Sequence, residues 1–262
     1  MKKWVLITGG SSGIGLELAK IFARHGFSLV LVAREEDRLR DVANKFITGG
    51  TEAKIIVADL GDKSSPAKIL KQLRDEKVFI SVLVNNAGFG RQSSFAKTSL
   101  AEQLEMIEVN VASLVHLTHL FVQPMIARRE GKILNVASTA SFQPGPFMSI
   151  YYASKAFVFS FSYALADELD ESGVSVTTLC PGPTESRFHE RAGRSHSKMA
   201  LRFWMMPAQA VAEAGYRGLM TGKRIVIPGL LNKVGYFFAK ISPVRIPTKA
   251  ARRIISGGKP MD

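Results

Sequence analysis

"WVLITGGSSGIG", residues 4–15, runs from a short apolar segment through a glycine-rich loop into a helical pattern. The apolar segment is typical of a buried strand, so the loop at residues 8–15 joins a strand to a helix. Glycines in such a loop let the backbone approach a pyrophosphate, which the helix N-terminus then attracts. A tight strand–helix turn is the alternative. A nucleotide-triphosphate loop is excluded, because Leu16 and Glu17 stand where Lys and Ser or Thr would be needed.

Short apolar runs rich in Val, Ile and Leu recur along the whole chain and do not alternate with polar residues. They span residues 4–10, 27–34, 53–60, 81–88, 131–138, 174–182 and 223–229. Such runs are typical of strands buried on both faces of a parallel sheet, and helical patterns such as Leu100, Leu104 and Ile107 lie between them. The repeat predicts a single α/β domain: a Rossmann-type doubly wound parallel sheet of about seven strands, with helices on both faces.

The composition sets limits on compartment and chemistry. Apolar residues make up 46% of the 262 and charged residues 22%, which is typical of a globular protein with a large core. A single cysteine, Cys180, rules out an internal disulfide framework and a cysteine-rich zinc site, so we predict no metal. The opening "MKKWVLITGG" predicts a buried strand rather than a secretory leader, and we expect no membrane-spanning helix. We therefore expect a cytoplasmic protein.

Positive charge is concentrated in the last third of the chain. Residues 1–186 hold 20 Lys+Arg and 19 Asp+Glu, whereas residues 187–262 hold 15 and 3, so the net charges are +1 and +12. This asymmetry indicates either an acidic partner or a solvated basic surface. We expect no nucleic-acid partner, because no stacking platform or groove-reading motif is visible.

Several motifs follow the predicted strands, at the sheet edge where ligands bind in such folds. They are "TGGSSGIG" at 8–15, "NNAG" at 85–88, Asn110, Ser138, Tyr151-x3-Lys155 and "PGPT" at 181–184. In this order they resemble the classical short-chain dehydrogenase/reductase (SDR) family over residues 3–186 and part of the helix and strand beyond.

The resemblance implies an oxidoreductase that transfers a hydride and a proton. In this family Tyr151 would be the proton donor in reduction, and Lys155 would lower its pKa and bind the nicotinamide ribose. Ser138 would hold the substrate carbonyl, and Asn110 would anchor a water that connects Lys155 to solvent. By spacing alone both Tyr151 and Tyr152 share a helix face with Lys155. The resemblance selects Tyr151, and Tyr152, rotated by about 100°, is expected to point away and pack.

The end of the second predicted strand indicates which dinucleotide binds. Ala33 stands where NAD-preferring relatives carry an aspartate, and Arg34 follows it, with Arg38 nearby. An arginine fork suits a ribose 2′-phosphate, so we predict NADPH/NADP, with NADH/NAD as the weaker alternative. Glu35 and Glu36 would oppose this if they turned inward.

The motifs and the resemblance together give the predicted cofactor-binding residues. These are Thr8, Gly9, Ser11, Ser12, Gly13, Ile14, Gly15, Arg34, Asp59, Leu60, Asn86, Ala87, Gly88, Tyr151, Lys155, Pro181, Gly182 and Thr184.

Two segments are expected to border the substrate. In the family, the segment after the proline–glycine turn closes over the substrate; here it is residues 185–206, a lid rich in Phe, Met and Trp and carrying five basic residues. Residues 142–148, "FQPGPFM", face the same cleft and add Phe142, Phe147 and Met148. These side chains predict a hydrophobic substrate, or else they belong to the core.

Residues 230–262 form a basic, amphipathic extension to a catalytic domain at 1–229. One predicted helix face consists of Leu230, Leu231, Val234, Phe237, Phe238 and Ile241. Such a face must pack on the body, on a partner, or in a membrane interface. The extension resembles that of a family branch that includes reductases of long-chain and lipid-like ketones.

We therefore predict an NADPH-dependent reductase of a hydrophobic ketone or aldehyde, or the reverse alcohol dehydrogenase. The alternative is a non-catalytic dinucleotide-binding sensor or scaffold that docks on membranes through the extension. A homodimer through helices around 100–126 and 152–171 is expected. Peripheral contact with the inner face of the membrane is an open alternative for location.

Overall fold

The computed structural model describes residues 2–185 and 205–256. A seven-stranded parallel sheet with the order β3-β2-β1-β4-β5-β6-β7 forms its centre. The strands are β1 (Trp4–Thr8), β2 (Ser28–Ala33), β3 (Ala53–Val57), β4 (Ile80–Asn85), β5 (Gly131–Val136), β6 (Val174–Leu179) and β7 (Ile225–Val226). All seven predicted strands are present, and the doubly wound parallel fold is confirmed.

Helices connect the strands and cover both faces of the sheet. They are α1 (Gly13–Arg24), α2 (Glu36–Thr48), α3 (Ser65–Asp75), α4 (Leu100–Ile107), α5 (Ser113–Arg128), α6 (Ser149–Glu168), α7 (Ala208–Met220), α8 (Leu230–Ile241) and α9 (Arg245–Ser256). A π-helical turn, Glu108–Ala112, joins α4 to α5, and a 3-10 turn, Thr139–Phe142, precedes α6.

The core consists of two layers separated by the sheet. Successive side chains of a strand point to opposite faces. Leu6 of β1 therefore packs in a layer with residues of α3 and α5, while its neighbours Val5 and Ile7 pack in the other layer with residues of α1 and α7. The strand order reverses between β1 and β4, with β2 and β3 on one side and β5 to β7 on the other, which leaves a crevice at the carboxyl ends of these central strands.

The helical run Leu100–Arg128 is long and apolar enough to cross a membrane by length and composition alone. Half of its most apolar window is buried inside the protein, and α5 packs on β4 and β5. The same length and composition are expected of a core helix, so this run is weak evidence for a membrane span. The expectation from the sequence overlooked this run.

The extension forms two helices with different surroundings. Residues of α9 are buried against the body, whereas the apolar face predicted for α8 is exposed, with Leu230 at 77% and Phe238, its least exposed member, at 49%. Packing of this face on the body, one of the predicted outcomes, is therefore wrong for the described residues. The side chains of α8 that do meet the body are Asn232 and Tyr236. The domain boundary at residue 229 stays a prediction.

Candidate active site

A cavity of about 290 Å³ lies at the carboxyl ends of the strands. The glycine loop borders one end, and Ser138, Tyr151 and Lys155 border the other. The topology explains this, because the loops after β1, β2, β4, β5 and β6 all emerge at the same edge of a parallel sheet.

The glycine loop is folded against the loop that follows β4. Gly9 has a φ of +65°, which favours glycine, and a Cβ there would lie 2.8 Å from the side-chain amide of Asn86. At Gly15 a Cβ would lie 2.4 Å from the carbonyl oxygen of Gly9. Both positions therefore require glycine for close approach of the backbone.

Thr8 holds these two loops together. Its Oγ1 accepts hydrogen bonds from the backbone N–H groups of Asn86 and Ala87, each at 3.0 Å. In return, the Asn86 side chain donates to the Thr8 carbonyl at 2.9 Å. Thr8 is 1% exposed and does not line the cavity, so it acts as a clamp for the residues that do.

The lining fits a dinucleotide. The N-terminal end of α1 faces the cavity through Gly13 and Ile14, and the helix has no side-chain cap hydrogen bond at Ser12. Its first N–H groups suit a pyrophosphate. At the other end Gly88 leaves a bare backbone, where a Cβ would lie 3.0 Å from Asn110 Oδ1 and 3.2 Å from Lys155 Nζ.

A cluster of charges marks the outer end of the cavity. Arg34 lines it, and its guanidinium lies 3.7 Å from Asp59 and 3.3 Å from Glu105 of α4. Arg38, considered as a second phosphate ligand, instead donates to the Ser11 carbonyl at 2.9 Å and does not line the cavity. Arg38 therefore supports the glycine loop, and its role as a second phosphate ligand stays a prediction.

Lys155 lies buried on the inner side of the cavity. Its Nζ donates to the Val136 carbonyl at 2.8 Å. Burial lowers the pKa of Lys155 from 10.5 to about 8, because the ammonium loses solvation. Nearby Cys180 is fully buried in the core, and burial raises the pKa of its thiol to about 12.

Ser138 begins the 3-10 turn after β5 and is 9% exposed. Its Oγ accepts a hydrogen bond from the Ala140 N–H at 3.1 Å and donates to the Pro181 carbonyl at 3.4 Å. The backbone N–H of Thr139 also donates to Pro181, at 2.8 Å. These bonds fix the serine at the rim where the loops after β5 and β6 meet.

The two adjacent tyrosines of α6, Tyr151 and Tyr152, both border the cavity. The ring of Tyr152 packs on Gly145, where a Cβ would lie 2.3 Å from a ring carbon. It therefore packs as expected but does not point away from the cavity, so that part of the prediction is wrong. The two rings are 6.0 Å apart, edge to face.

Asn110 lies in the π-helical turn and is 1% exposed. Its Oδ1 accepts from the Phe89 N–H at 3.0 Å, and its Nδ2 donates to the Phe89 carbonyl at 2.9 Å and to Ser154 Oγ at 3.0 Å. Asn110 thus holds the loop after β4 against α6. Its role in anchoring a water stays a prediction.

A buried polar chain behind the site was not expected from the sequence. Asn85 Nδ2 donates to Thr118 Oγ1 at 3.0 Å and to Asn135 Oδ1 at 2.9 Å, and Asn135 Nδ2 donates to Ser162 Oγ at 2.8 Å. It ties α5, β4, β5 and α6 together across the sheet. Asparagine in the interior of an otherwise apolar strand, at position 135, is the signal that would have indicated it.

The predicted residues fall into three groups. Most of the predicted binding residues line the cavity: Gly9, Ser11, Ser12, Gly13, Ile14, Arg34, Asp59, Leu60, Asn86, Ala87, Gly88, Ser138, Tyr151, Lys155, Pro181, Gly182 and Thr184. Thr8, Gly15 and Asn110 lie behind this lining. Of the predicted lid at 185–206, residues 186–204 lie outside the described residues.

The segment at 142–148 borders the cavity only in part. Met148 lines it, as does Gln143, which the sequence analysis did not single out. Phe142 instead packs on Phe159 and Tyr236, and is not part of the lining. The expectation for Phe142 is therefore wrong.

Helix α9 packs behind the tyrosine end of the cavity. Its buried Ala251 and Ile255 pack with Met148, and Tyr151 and Tyr152 lie against this cluster. The Gln92 side chain donates to the Ile255 carbonyl at 2.8 Å and ties the end of α9 to the body. The phenol of Tyr151, the buried amine of Lys155 and the hydroxyl of Ser138 thus border one cavity, next to an apolar cluster.

Comparison with known proteins agrees with this geometry. Residues 3–197 match the family model for short chain dehydrogenase. An uncharacterised oxidoreductase of Staphylococcus epidermidis is 32% identical over 213 residues, which cover 81% of this chain and 89% of that protein. The mouse 17-beta-hydroxysteroid dehydrogenase type 3 is 38% identical over 185 residues, 69% of this chain and 60% of the mouse protein.

A solved structure is similar over nearly the whole chain. It is a short-chain dehydrogenase from Sphingobium yanoikuyae in complex with NADPH, with a TM-score of 0.81 and 30% sequence identity. The match covers 98% of this chain and 96% of the other.

Proposed function

The chain belongs to the short-chain dehydrogenase/reductase family and is an oxidoreductase acting on CH–OH or C=O groups; we propose that it reduces a hydrophobic ketone or aldehyde with NADPH, or oxidises the corresponding alcohol. The observation that carries the proposal is the buried Lys155, which borders one cavity together with Tyr151, Ser138 and the glycine loop. We further propose that the protein is cytoplasmic.

The proposed mechanism assigns one task to each residue. When bound, the nicotinamide supplies or accepts the hydride. Tyr151 donates its phenolic proton to the carbonyl oxygen in reduction and accepts a proton from the alcohol in oxidation. The Lys155 ammonium favours the phenolate by its charge, and Ser138 donates a hydrogen bond to the substrate oxygen.

The preference for NADPH is supported by the outer end of the cavity. Arg34 lines it, and no acidic side chain occupies the preceding position, Ala33. A 2′-phosphate there would meet a permanently charged guanidinium. The similar Sphingobium protein was solved with NADPH, which supports the same choice.

A hydrophobic substrate is supported by the wall that Met148, Tyr151 and Tyr152 build, with α9 packed behind it. Such a wall favours an apolar carbonyl compound, because burying its surface supplies the binding energy. The mouse relative is a hydroxysteroid dehydrogenase, which is consistent with a bulky apolar substrate.

The test is a comparison of two neighbouring variants on a panel of apolar ketones. Tyr151→Phe is expected to lower kcat by about 10²–10⁴-fold with NADPH binding retained, because it removes the proton donor. Tyr152→Phe removes the matched hydroxyl one residue away, and we expect its kcat to stay within a few-fold of wild type. Full activity of Tyr151→Phe would overturn the assignment.

A non-catalytic sensor is the weaker hypothesis. A sensor gains nothing from burying Lys155 beside a tyrosine, since the burial disfavours the charged amine. No observation favours it, and inactivity on every ketone and alcohol offered with NADPH would revive it.

A further inference from the structure

Helix α8 presents one face to the body and the opposite face to solvent. Asn232 packs on Gly182, where a Cβ would lie 2.3 Å from the side-chain oxygen, and the Tyr236 ring packs on Phe142 at 4.5 Å. The opposite side, here named the α8 face, consists of Leu230, Leu231, Val234, Phe237, Phe238 and Ile241. Every one of these side chains is exposed, and Val244 extends the patch. A contiguous exposed apolar patch of seven large side chains marks an interaction site.

The charge around this face selects the partner. Residues 230–256 contain six basic residues and no acidic one. These six, Lys233, Lys240, Arg245, Lys249, Arg252 and Arg253, are all exposed. At 100° per residue, Lys233 and Lys240 fall about 40–60° from Phe237, on the border between the apolar face and the body. Apolar centre and basic border together are the pattern of a helix that lies in a lipid interface.

We propose that the α8 face docks the protein on an anionic lipid surface. Its apolar side chains enter the boundary between headgroups and acyl chains, while Lys233 and Lys240 meet the acidic headgroups. The basic residues of α9 add to the attraction at the surface. Docking does not depend on the proposed reaction, since the α8 face does not line the cavity.

A second copy of the chain fits this face less well. Two α8 faces brought together would place twelve basic groups near one interface, and no acidic residue of 230–256 would balance them. Within the residues that the structure describes, no other segment covers the face.

The test is co-sedimentation of the full chain with vesicles. We expect binding to vesicles of equal parts phosphatidylcholine and phosphatidylglycerol, weaker binding to phosphatidylcholine alone, and loss of binding with rising salt. Leu231→Ser/Phe237→Ser is expected to lower the partition coefficient about tenfold or more. Phe79→Ser, at an exposed phenylalanine before β4, is the matched control and should bind like wild type.

The contribution of charge to vesicle binding is tested with two double variants, each of which replaces two lysines. Lys233→Gln/Lys240→Gln should weaken binding to anionic vesicles about tenfold or more. Lys45→Gln/Lys63→Gln removes two exposed lysines near β3, at the other edge of the sheet from β7, and should change it little.

Two results would overturn the proposal. The first is equal partitioning of wild type and Leu231→Ser/Phe237→Ser. The second is that wild type does not bind vesicles and forms a dimer that this variant dissociates. That result would assign the α8 face to contact with a second copy of the chain. Reduction of a water-soluble ketone by Leu231→Ser/Phe237→Ser is measured in parallel. It should be unchanged, so a failure of docking is distinguishable from a failure of the proposed function.

Discussion

Lys155 combines two properties that oppose each other. Its position under Gly88 and beside Asn110 serves the site, yet burial removes the solvation of its ammonium. The folded protein therefore holds fewer protons at Lys155 than the unfolded chain between pH 8 and the ordinary lysine value of 10.5. Below pH 8 the cost of burying the charge is fully present, and it disappears as the pH rises towards 10.5.

The first prediction follows from this loss of the burial cost as the pH rises. The free energy of unfolding of wild type, minus that of Lys155→Met, should rise with pH from 8 to 10.5, by on the order of 3 kcal/mol in total. Urea denaturation of the cofactor-free proteins at a series of pH values measures the difference. A difference that stays constant, or falls with pH, contradicts the burial of a protonated amine.

Arg34 is a second residue whose expected role, binding of the cofactor's 2′-phosphate, depends on a neighbouring side chain. The Glu105 carboxylate, 3.3 Å away, would compete with the 2′-phosphate that we propose Arg34 binds. Both side chains are nearly half exposed, so the interaction is screened and its effect is modest.

Removing that competitor gives the second prediction. Glu105→Gln should lower the Kd for NADPH about two- to fivefold at low salt and leave the Kd for NADH unchanged. Arg34→Gln should raise the Kd for NADPH about tenfold or more, because it removes the charged ligand. Calorimetric titration with both cofactors measures this. Equal changes for NADPH and NADH would show that Arg34 does not meet the 2′-phosphate.

At the scale of elements, the two helices of the extension differ in what they contact. Helix α9 buries Ala251 and Ile255 beside the tyrosines, whereas α8 leaves its apolar face in solvent. Phe147, next to this contact, has a φ of +67°, which is strained for a phenylalanine, and its ring lies under the Arg252 guanidinium at 5.5 Å. Helix α9 thus supports residues that line the site, Met148 and the two tyrosines, from behind.

The third prediction uses two neighbouring isoleucines of α9. Ile255 is 2% exposed and Ile254 is 58% exposed. Ile255→Ala should weaken the docking of α9 by about 2–5 kcal/mol, through lost burial and a cavity against Met148. Faster hydrogen exchange over residues 245–256 and a higher KM for apolar ketones are the expected signs. Ile254→Ala is the control, and equal effects of the two variants would exclude α9 from the site.

At the scale of the whole molecule, the described residues carry a second exposed apolar surface, on α4 and α6. The stripe on α4 that indicated a helix, Leu100, Leu104 and Ile107, is exposed rather than in the core. It adjoins α6, where Phe157 and Tyr163 are exposed too. These helices fall within the ranges expected to form a homodimer.

The fourth prediction concerns this surface. We propose that the protein is a dimer through α4 and α6, and that Leu104→Glu/Phe157→Glu dissociates it, because charges would be buried without partners. Sedimentation velocity measures the mass. Leu231→Ser/Phe237→Ser should remain dimeric, and a monomeric wild type would overturn the proposal.

The strands and the glycine loop were predictable because their signals are local. Uninterrupted Val, Ile and Leu runs reflect burial on both faces of each strand, and all seven were found, although β7 is only two residues long. Gly9 and Gly15 are needed because other atoms approach their backbone closely, and this requirement is likewise visible in the spacing of glycines in the loop itself. The predicted strand boundaries were less accurate than the number of strands, since the polar residues at the ends of the predicted runs belong to the loops.

Contacts between distant segments were not predictable in this way. Glu105 reaches Arg34 from α4, Arg38 supports the glycine loop, and Asn85 pairs with Asn135 across the sheet. Each contact joins segments that come together only when the sheet assembles. Helical spacing placed both tyrosines near Lys155, but only the shape of the cavity shows that both border it.

The sequence by itself determined the doubly wound sheet, the glycine loop and the Tyr151–Lys155 pair, because periodicity, close backbone approach and helical spacing are properties of neighbouring residues. The tertiary structure alone decided that α9 packs behind Met148 and the tyrosines of the site and that α8 leaves its apolar face uncovered among the described residues. Amphipathic spacing shows that a helix has an apolar face. Which surface covers that face depends on where the rest of the chain lies.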